Sequence, residues 1–130
     1  MVNHIVNSKQ LVFMAYVDGF VLPVPTRNLK VYAALSRKAG RIWREHGALE
    51  YRECAGDDLD VKMGLSFKKL AKTRRGESVV FSWIVYQSRA DRDGVLAKVM
   101  GDKRMSRMPK KMPFDPKRMG YGGFKTIVAV

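Results

Sequence analysis

Ser78-Val79-Val80-Phe81-Ser82-Trp83-Ile84-Val85-Tyr86 is the stretch that decides the fold. It is rich in β-branched and aromatic residues, and apolar on both alternating faces except at Ser82. That pattern predicts a central strand covered on both sides. Ser88 follows, with Asp91 three residues later, the spacing of a capping box that opens a helix. Val95, Leu96, Val99 and Met100 give this helix a buried side. Gly94 within it costs about 1 kcal/mol relative to alanine.

Working back toward the N-terminus, residues 48–54 read as a strand with Leu49 and Tyr51 on one face, closed by the turn Gly56-Asp57-Asp58. Residues 57–76 are a long polar connection that Leu65, Phe67 and Leu70 pin to the core through a short helical turn. Before residue 48 lies the clearest helix. Its apolar positions Leu29, Tyr32, Leu35, Ala39, Ile42, Trp43 and His46 recur every three or four residues and form one stripe. Thr26 or Asn28 can cap it, and Gly47 can take the left-handed conformation that ends it. Residues 11–22 form the first strand, which Pro23 and Pro25 are expected to end. Its alternation puts Met14, Tyr16 and Asp18 on one face and Phe13, Ala15 and Val17 on the other.

Toward the C-terminus, residues 101–118 are basic, Met-rich and broken by Pro109, Pro113 and Pro116, so they read as an irregular loop. A last strand runs from about Met119 to Val130, with Gly120, Gly122 and Gly123 permitting a bend. Two strand–helix–strand units in succession predict an α+β, ferredoxin-like βαββαβ fold. One four-stranded antiparallel sheet would carry two helices on one face. A half-covered sheet with an apolar central strand leaves a large exposed patch, which a second copy can cover. The expected assembly is a homodimer closed as a dimeric α+β barrel. Residues 11–130 make one domain, and residues 1–10 read as an N-terminal extension without fixed structure.

Six blocks carry a family resemblance. They are Tyr16-Val17-Asp18-Gly19-Phe20, Glu45-His46-Gly47-Ala48-Leu49-Glu50-Tyr51, Val80-Phe81-Ser82-Trp83, Ser88-Arg89-Ala90-Asp91-Arg92-Asp93, Met112-Pro113-Phe114-Asp115 and Tyr121-Gly122-Gly123-Phe124. In this order, over about residues 12–129, they resemble the YbaA-like family of small bacterial proteins, a domain of unknown function in the dimeric α+β barrel class. The resemblance implies the same fold and a dimer. It implies no activity and no catalytic residues.

The chain is long enough, at 130 residues, to bury roughly two-thirds of its unfolded surface in one core. No window approaches the ~20 apolar residues of a membrane span, and residues 1–10 lack a secretion-signal pattern. Cys54 is the only cysteine, which excludes an internal disulfide and a multi-cysteine zinc site. These features predict a cytoplasmic protein that uses neither a metal nor another cofactor. The net charge is +13, nearly all of it from residues 62–75 and 103–118. Such segments attract polyanions without specificity. They hold only Phe67 and Phe114 as stacking platforms, so a dedicated nucleic-acid module is not expected.

Among residues that could do chemistry, His46 sits at a helix end and is the candidate catalytic group, because histidine can act as a base near neutral pH. Tyr16, Trp43, Trp83 and Tyr86 are candidates to line a ligand cleft between sheet and helices, with Tyr51 in the same aromatic set. Asp18 and Arg89 are candidate ligand-binding residues; Asp18 could pair with an arginine such as Arg89 or equally sit at a strand end in water. Asp57, Asp58 and Asp60 lack the terminal glutamate of a calcium loop. Cys54 reads as a small buried hydrophobe. The Gly120–Gly123 run lacks the lysine of a phosphate loop. Three functions remain open on these grounds: a small-ligand-binding or accessory protein, a cofactor-independent oxygenase or isomerase, and a polyanion-binding protein. The enzyme reading asks for a cavity of at least ~300 Å³ with His46 or another polar tip inside it.

Overall fold

A computed structural model describes residues 15–130. The reading of residues 1–10 as an extension and the first four residues of the predicted opening strand lie outside the described residues. Four strands form one antiparallel sheet in the order β2-β3-β1-β4. They are β1 (Tyr16–Pro25), β2 (Glu50–Ala55), β3 (Glu77–Tyr86) and β4 (Gly120–Lys125). Two long helices, α1 (Leu29–Glu45) and α3 (Arg89–Met100), connect β1 to β2 and lead away from β3. One-turn helices α2 (Phe67–Leu70) and α4 (Lys103–Ser106) punctuate the two basic connections.

The central strand is where the sequence predicts it. β3 pairs with β1 over ten residues, from Tyr16 opposite Tyr86 to Pro25 opposite Glu77, and with β2 on its other side. Its alternation splits the molecule in two. Val80, Ser82, Ile84 and Tyr86 are buried beneath the helices. Ile84 and Tyr86 pack with Ile42 of α1 and with Val95 and Val99 of α3, so both long helices lie on this face. Val80 joins Leu22, Val24 and Tyr32 in a second cluster beside it. The opposite face presents Phe81, Trp83 and Val85, with Val17, Val21 and Phe124 from the neighbouring strands. Helix α2 leans on it, where Phe67 meets the ring of Phe81 edge-on at 5.8 Å, and residues 117–119 border it. Phe67 and Leu70 therefore pin the long connection to the open face of the sheet and not to the core.

Several boundaries differ from the sequence reading, each for a local reason. Pro23 sits inside β1 and does not end it; the strand runs on to Pro25, its last residue. Pairing with β4 stops at Val21, so beyond that point β1 has a free side on which a missing N–H costs no ladder bond. β4 is six residues long, its pairing ending at Lys125 opposite Tyr16. Ile127, Val128 and Val130 beyond it are exposed. Neither Thr26 nor Asn28 caps α1 through its side chain. The Thr26 hydroxyl is 2.8 Å from that of Ser78, and the Asn28 amide donates to the carbonyl of Pro113 at 3.1 Å. Gly47 does end α1, at φ +118°. Ser88 caps α3 as expected, accepting from the N–H of Asp91 at 3.1 Å. Cys54 is exposed, because its position opposite Phe81 puts it on the open face.

Two glycines in helices make opposite predictions. A Cβ at Gly94 would meet nothing within 4 Å, whereas one at Gly40 would sit 2.6 Å from the ring of Tyr51. Gly94→Ala should stabilise the protein by up to ~1 kcal/mol through helix propensity alone. Gly40→Ala should destabilise it by about 1–3 kcal/mol, since overpacking outweighs that gain. Urea unfolding midpoints of the two variants measure both signs, and a neutral Gly40→Ala would mean that α1 is not seated tightly on β2.

Candidate functional site

Between α1 and the covered face of the sheet lies a cavity of about 220 Å³. Strand alternation supplies its floor: Phe20 and Leu22 from β1, Ser82 and Ile84 from β3, Tyr51 and Glu53 from β2. One stripe of α1 supplies a wall, with Tyr32, Leu35, Ser36, Ala39 and Trp43. The Met-rich segment after α3 folds back as a roof, through Met105, Met108, Met112, Phe114 and Met119. Asn28 holds this roof down through its bond to Pro113, and Phe114 meets the Tyr32 ring edge-on at 5.6 Å. The roof is a proline-interrupted connection built largely from unbranched thioether side chains, which adapt their shape to what they cover.

Glu53 is the only charged residue among the cavity walls. The Ser36 hydroxyl donates to its Oε2 at 3.1 Å. The Tyr32 and Tyr51 phenols stand beside it. Burial pushes both well above the ordinary tyrosine range, and the nearby Glu53 carboxylate pushes them further. Both are therefore neutral hydroxyls at physiological pH. The cavity can hold a small apolar body and offer one anionic acceptor at its polar end. It falls short of the ~300 Å³ that the enzyme reading asks for, and no histidine lines it.

A second polar cluster lies on the same face of the sheet. Asp18 is 1% exposed, and Arg92 of α3 donates to its Oδ1 at 3.0 Å. The same guanidinium donates to the Tyr121 hydroxyl at 3.1 Å and covers the Tyr16 ring with its carbon 5.0 Å from the centroid. Tyr86 faces Asp18 and accepts from the Trp43 indole at 3.1 Å. Burial pushes the Asp18 carboxyl above its usual value, opposed first by the Arg92 charge and then by the hydroxyls of Tyr86 and Tyr121. Burial raises Tyr86 as well, with the Asp18 charge adding to it. This cluster joins α3 to β1 and, through Trp43, touches the wall of the cavity.

Of the residues singled out in the sequence, Tyr16, Asp18, Trp43 and Tyr86 come together, and Trp43 alone among them lines the cavity. Arg89 is not the partner of Asp18; Arg92, one turn further along α3, is. Trp83 lies on the opposite face of the sheet, beneath the guanidinium of Arg52 at 5.9 Å. His46 lies away from the cavity. Its Nε2 is 2.8 Å from Asp102 Oδ2, at the end of α1. Arg104 joins this cluster by bonding both Asp102 and Glu45, and with His46 it holds the Asp102 carboxyl well below the usual range. His46 thus ties the end of α1 to the segment before α4. Glu53 and Ser36 escaped the sequence reading, although Glu53 follows Tyr51 by two and so shares its face. Ser36 precedes Ala39 by one helical turn. Arg118, in the second basic segment, is bonded to Glu77, whose carboxyl it lowers to about 2.

Removing Arg92 tests the second cluster. Arg92→Met should destabilise the protein by about 3 kcal/mol at neutral pH, because it leaves the Asp18 charge buried without its partner. The sign of the pH dependence follows. Without Arg92, the folded-state pKa of Asp18 rises further above its unfolded value. The penalty is therefore full above the raised pKa and fades as pH falls through it toward ~4. Denaturant titrations of wild type and Arg92→Met across that range measure the difference. A loss that stays constant down to about pH 4 would mean that Asp18 carries no charge in the folded protein.

A family model described as a protein of unknown function, DUF1428, matches residues 15–116. The uncharacterized protein YbaA of Escherichia coli K12 is 43% identical over 115 residues, covering 88% of this chain and 98% of that protein. The protein of the same name from Shigella flexneri matches to the same extent. No helix among the described residues is long and apolar enough to cross a membrane. The cavity walls Phe20 through Phe114 and the Asp18–Arg92 pair all fall within the residues matched, and the chain belongs to this YbaA-like, DUF1428 family of proteins of unknown function.

Proposed function

We propose that the protein is a cytoplasmic homodimer, with the ferredoxin-like sheet of each subunit forming half of an α+β barrel, and that each subunit binds one small apolar ligand between its sheet and α1. The observation that carries the binding reading is the cavity: about 220 Å³, partly open to solvent and lined mainly by aromatic and aliphatic side chains, with the hydroxyls of Ser36 and Ser82 and one charged group, Glu53, among the described residues of its wall. A void of this size would hold roughly seven water molecules, and an apolar one is better filled by a small organic body than by water. The adaptable methionine roof suits entry and release.

The dimer reading rests on the other face. Phe124 is 61% exposed and Phe81 43%, beside Val17, Val21, Trp83 and Val85, which makes a contiguous apolar surface rather than scattered residues. Apposing this face with its copy would remove it from water with two-fold symmetry. A stable pairing needs about 800 Å² from each subunit.

Thermal-shift screening with small apolar compounds tests the binding reading. A true ligand at a hundred times its Kd should add about 2.7 kcal/mol of stability to the native protein. Ala39→Phe, which fills the cavity from α1, should abolish the shift. A cavity that no compound stabilises, or stabilisation that survives Ala39→Phe, counts against it. Sedimentation of the native protein at micromolar concentration tests the dimer. Two-fold mass is expected, with the double change Trp83→Glu and Phe124→Glu giving monomers; monomeric wild type would overturn it.

A further inference from the structure

We infer that the ligand of this cavity is a small organic cation, a protonated amine or alkylammonium with an apolar body. The inference deepens the binding reading above and rests on it. It comes from how the molecule uses its acids. The chain carries 25 basic and 12 acidic residues, so an acid without a basic partner is unusual. Asp18, Glu45, Glu50, Asp60, Glu77, Asp93 and Asp102 are all ion-paired. Asp57, Asp58, Asp91 and Asp115 stand exposed in water. Glu53 alone is both partly buried and without an ion pair among the described residues, and it is the residue at the cavity.

The second observation is what surrounds it. Tyr32, Trp43, Tyr51, Phe20 and Phe114 line the same space. Aromatic faces attract cations through their quadrupoles, and aromatic boxes of this kind recognise ammonium groups. A neutral apolar ligand would use the rings but bring no charge to the carboxylate, which has only the neutral hydroxyls of Ser36 and Tyr32 beside it. An anion would face Glu53 at short range in a poorly hydrated space. A cation satisfies both, donating to Glu53 in a charge-assisted bond while its body fills the apolar remainder. The volume limits that body to roughly seven to ten non-hydrogen atoms, at somewhat less than the ~30 Å³ that water takes in the liquid. No lysine or arginine among the walls occupies the place of this cation.

The test uses three probes of nearly equal shape: phenethylammonium, its neutral counterpart 2-phenylethanol, and the anion phenylacetate. Binding to the native protein is followed by the fluorescence of Trp43 in a Trp83→Phe background and by calorimetry. The cation is expected to bind at least roughly tenfold more tightly than the alcohol, with the anion weakest. Glu53→Gln should erase the preference for the cation and leave the alcohol's affinity within about a factor of two. If the alcohol binds as tightly as the cation, or the preference survives Glu53→Gln, the cation inference fails while the cavity remains a binding site. If none of the three probes binds at millimolar concentration, both the inference and the binding reading beneath it fail. The wild-type ranking needs no variant, so misfolding of Glu53→Gln would not shield the inference.

Discussion

The ten-residue pairing of β1 with β3 is the constraint from which the rest of the structure follows. It sets Tyr16 opposite Tyr86 and Leu22 opposite Val80, so the two central strands present matching faces. Side chains alternate along a strand with a period of two, and a slip of one residue would exchange those faces. Slipped against β3, β1 would turn Phe20 and Leu22 to the face of Phe81 and Trp83 and bring Val17 and Val21 to the helix side. Asp18 fixes the choice as firmly as the apolar residues do. It is buried on the helix side, where Arg92 can reach it, and the slipped register would remove that partner. One register thus determines the core, the cavity and the surface that a second copy would cover.

The cavity exists because the roof is not a regular element. Two long helices cover one face of a four-stranded sheet, but α1 and α3 leave room over β2 and the middle of β1 and β3. Residues 105–119 close that room with methionines, prolines and Phe114, rather than with a third helix. Proline breaks the backbone pattern and long thioethers reach inward, so space is enclosed without being filled. Anchors hold the roof at three places: Asn28 to Pro113, Arg118 to Glu77, and Asp102 to His46. The last explains His46 without catalysis, as the point where the end of α1 is fastened to the chain leaving α3.

Periodicity made the elements legible, and it failed where the outcome depended on partners distant in sequence. The run Ser78–Tyr86 is apolar on both faces and became the inner strand; the stripe from Leu29 to Trp43 became α1. Pro23 misled because a strand tolerates proline where it has lost a neighbour, and only the pairing with β4 reveals where that happens. Cys54 reads as buried by residue type, yet alternation from Tyr51 puts it on the open face. Arg92 and Arg89 cannot be ranked as partners of Asp18 without the rotation of α3. The cavity was half visible: Tyr51 and Trp43 marked its walls, but Glu53 looked like one more charge on a short strand. Only the roof, contributed from more than fifty residues away, turned that position from surface into interior.

Charge placement gives the site its character. In a chain with net charge +13, several acids are drawn into pairs that fasten one segment to another. Glu77 holds Arg118 and the turn before β4, Asp102 holds Arg104 and His46, and Asp18 holds Arg92. Each carboxylate lost from such a pair would leave a long basic side chain free and a joint of the fold open. Glu53 serves no joint of that kind. Its bond to Ser36 links β2 to α1, but a neutral side chain could make the same link. The Glu53 carboxylate stands beside aromatic rings, and among the described residues no lysine or arginine lines the cavity. On the proposed reading, the cation that pairs with Glu53 comes from outside the chain.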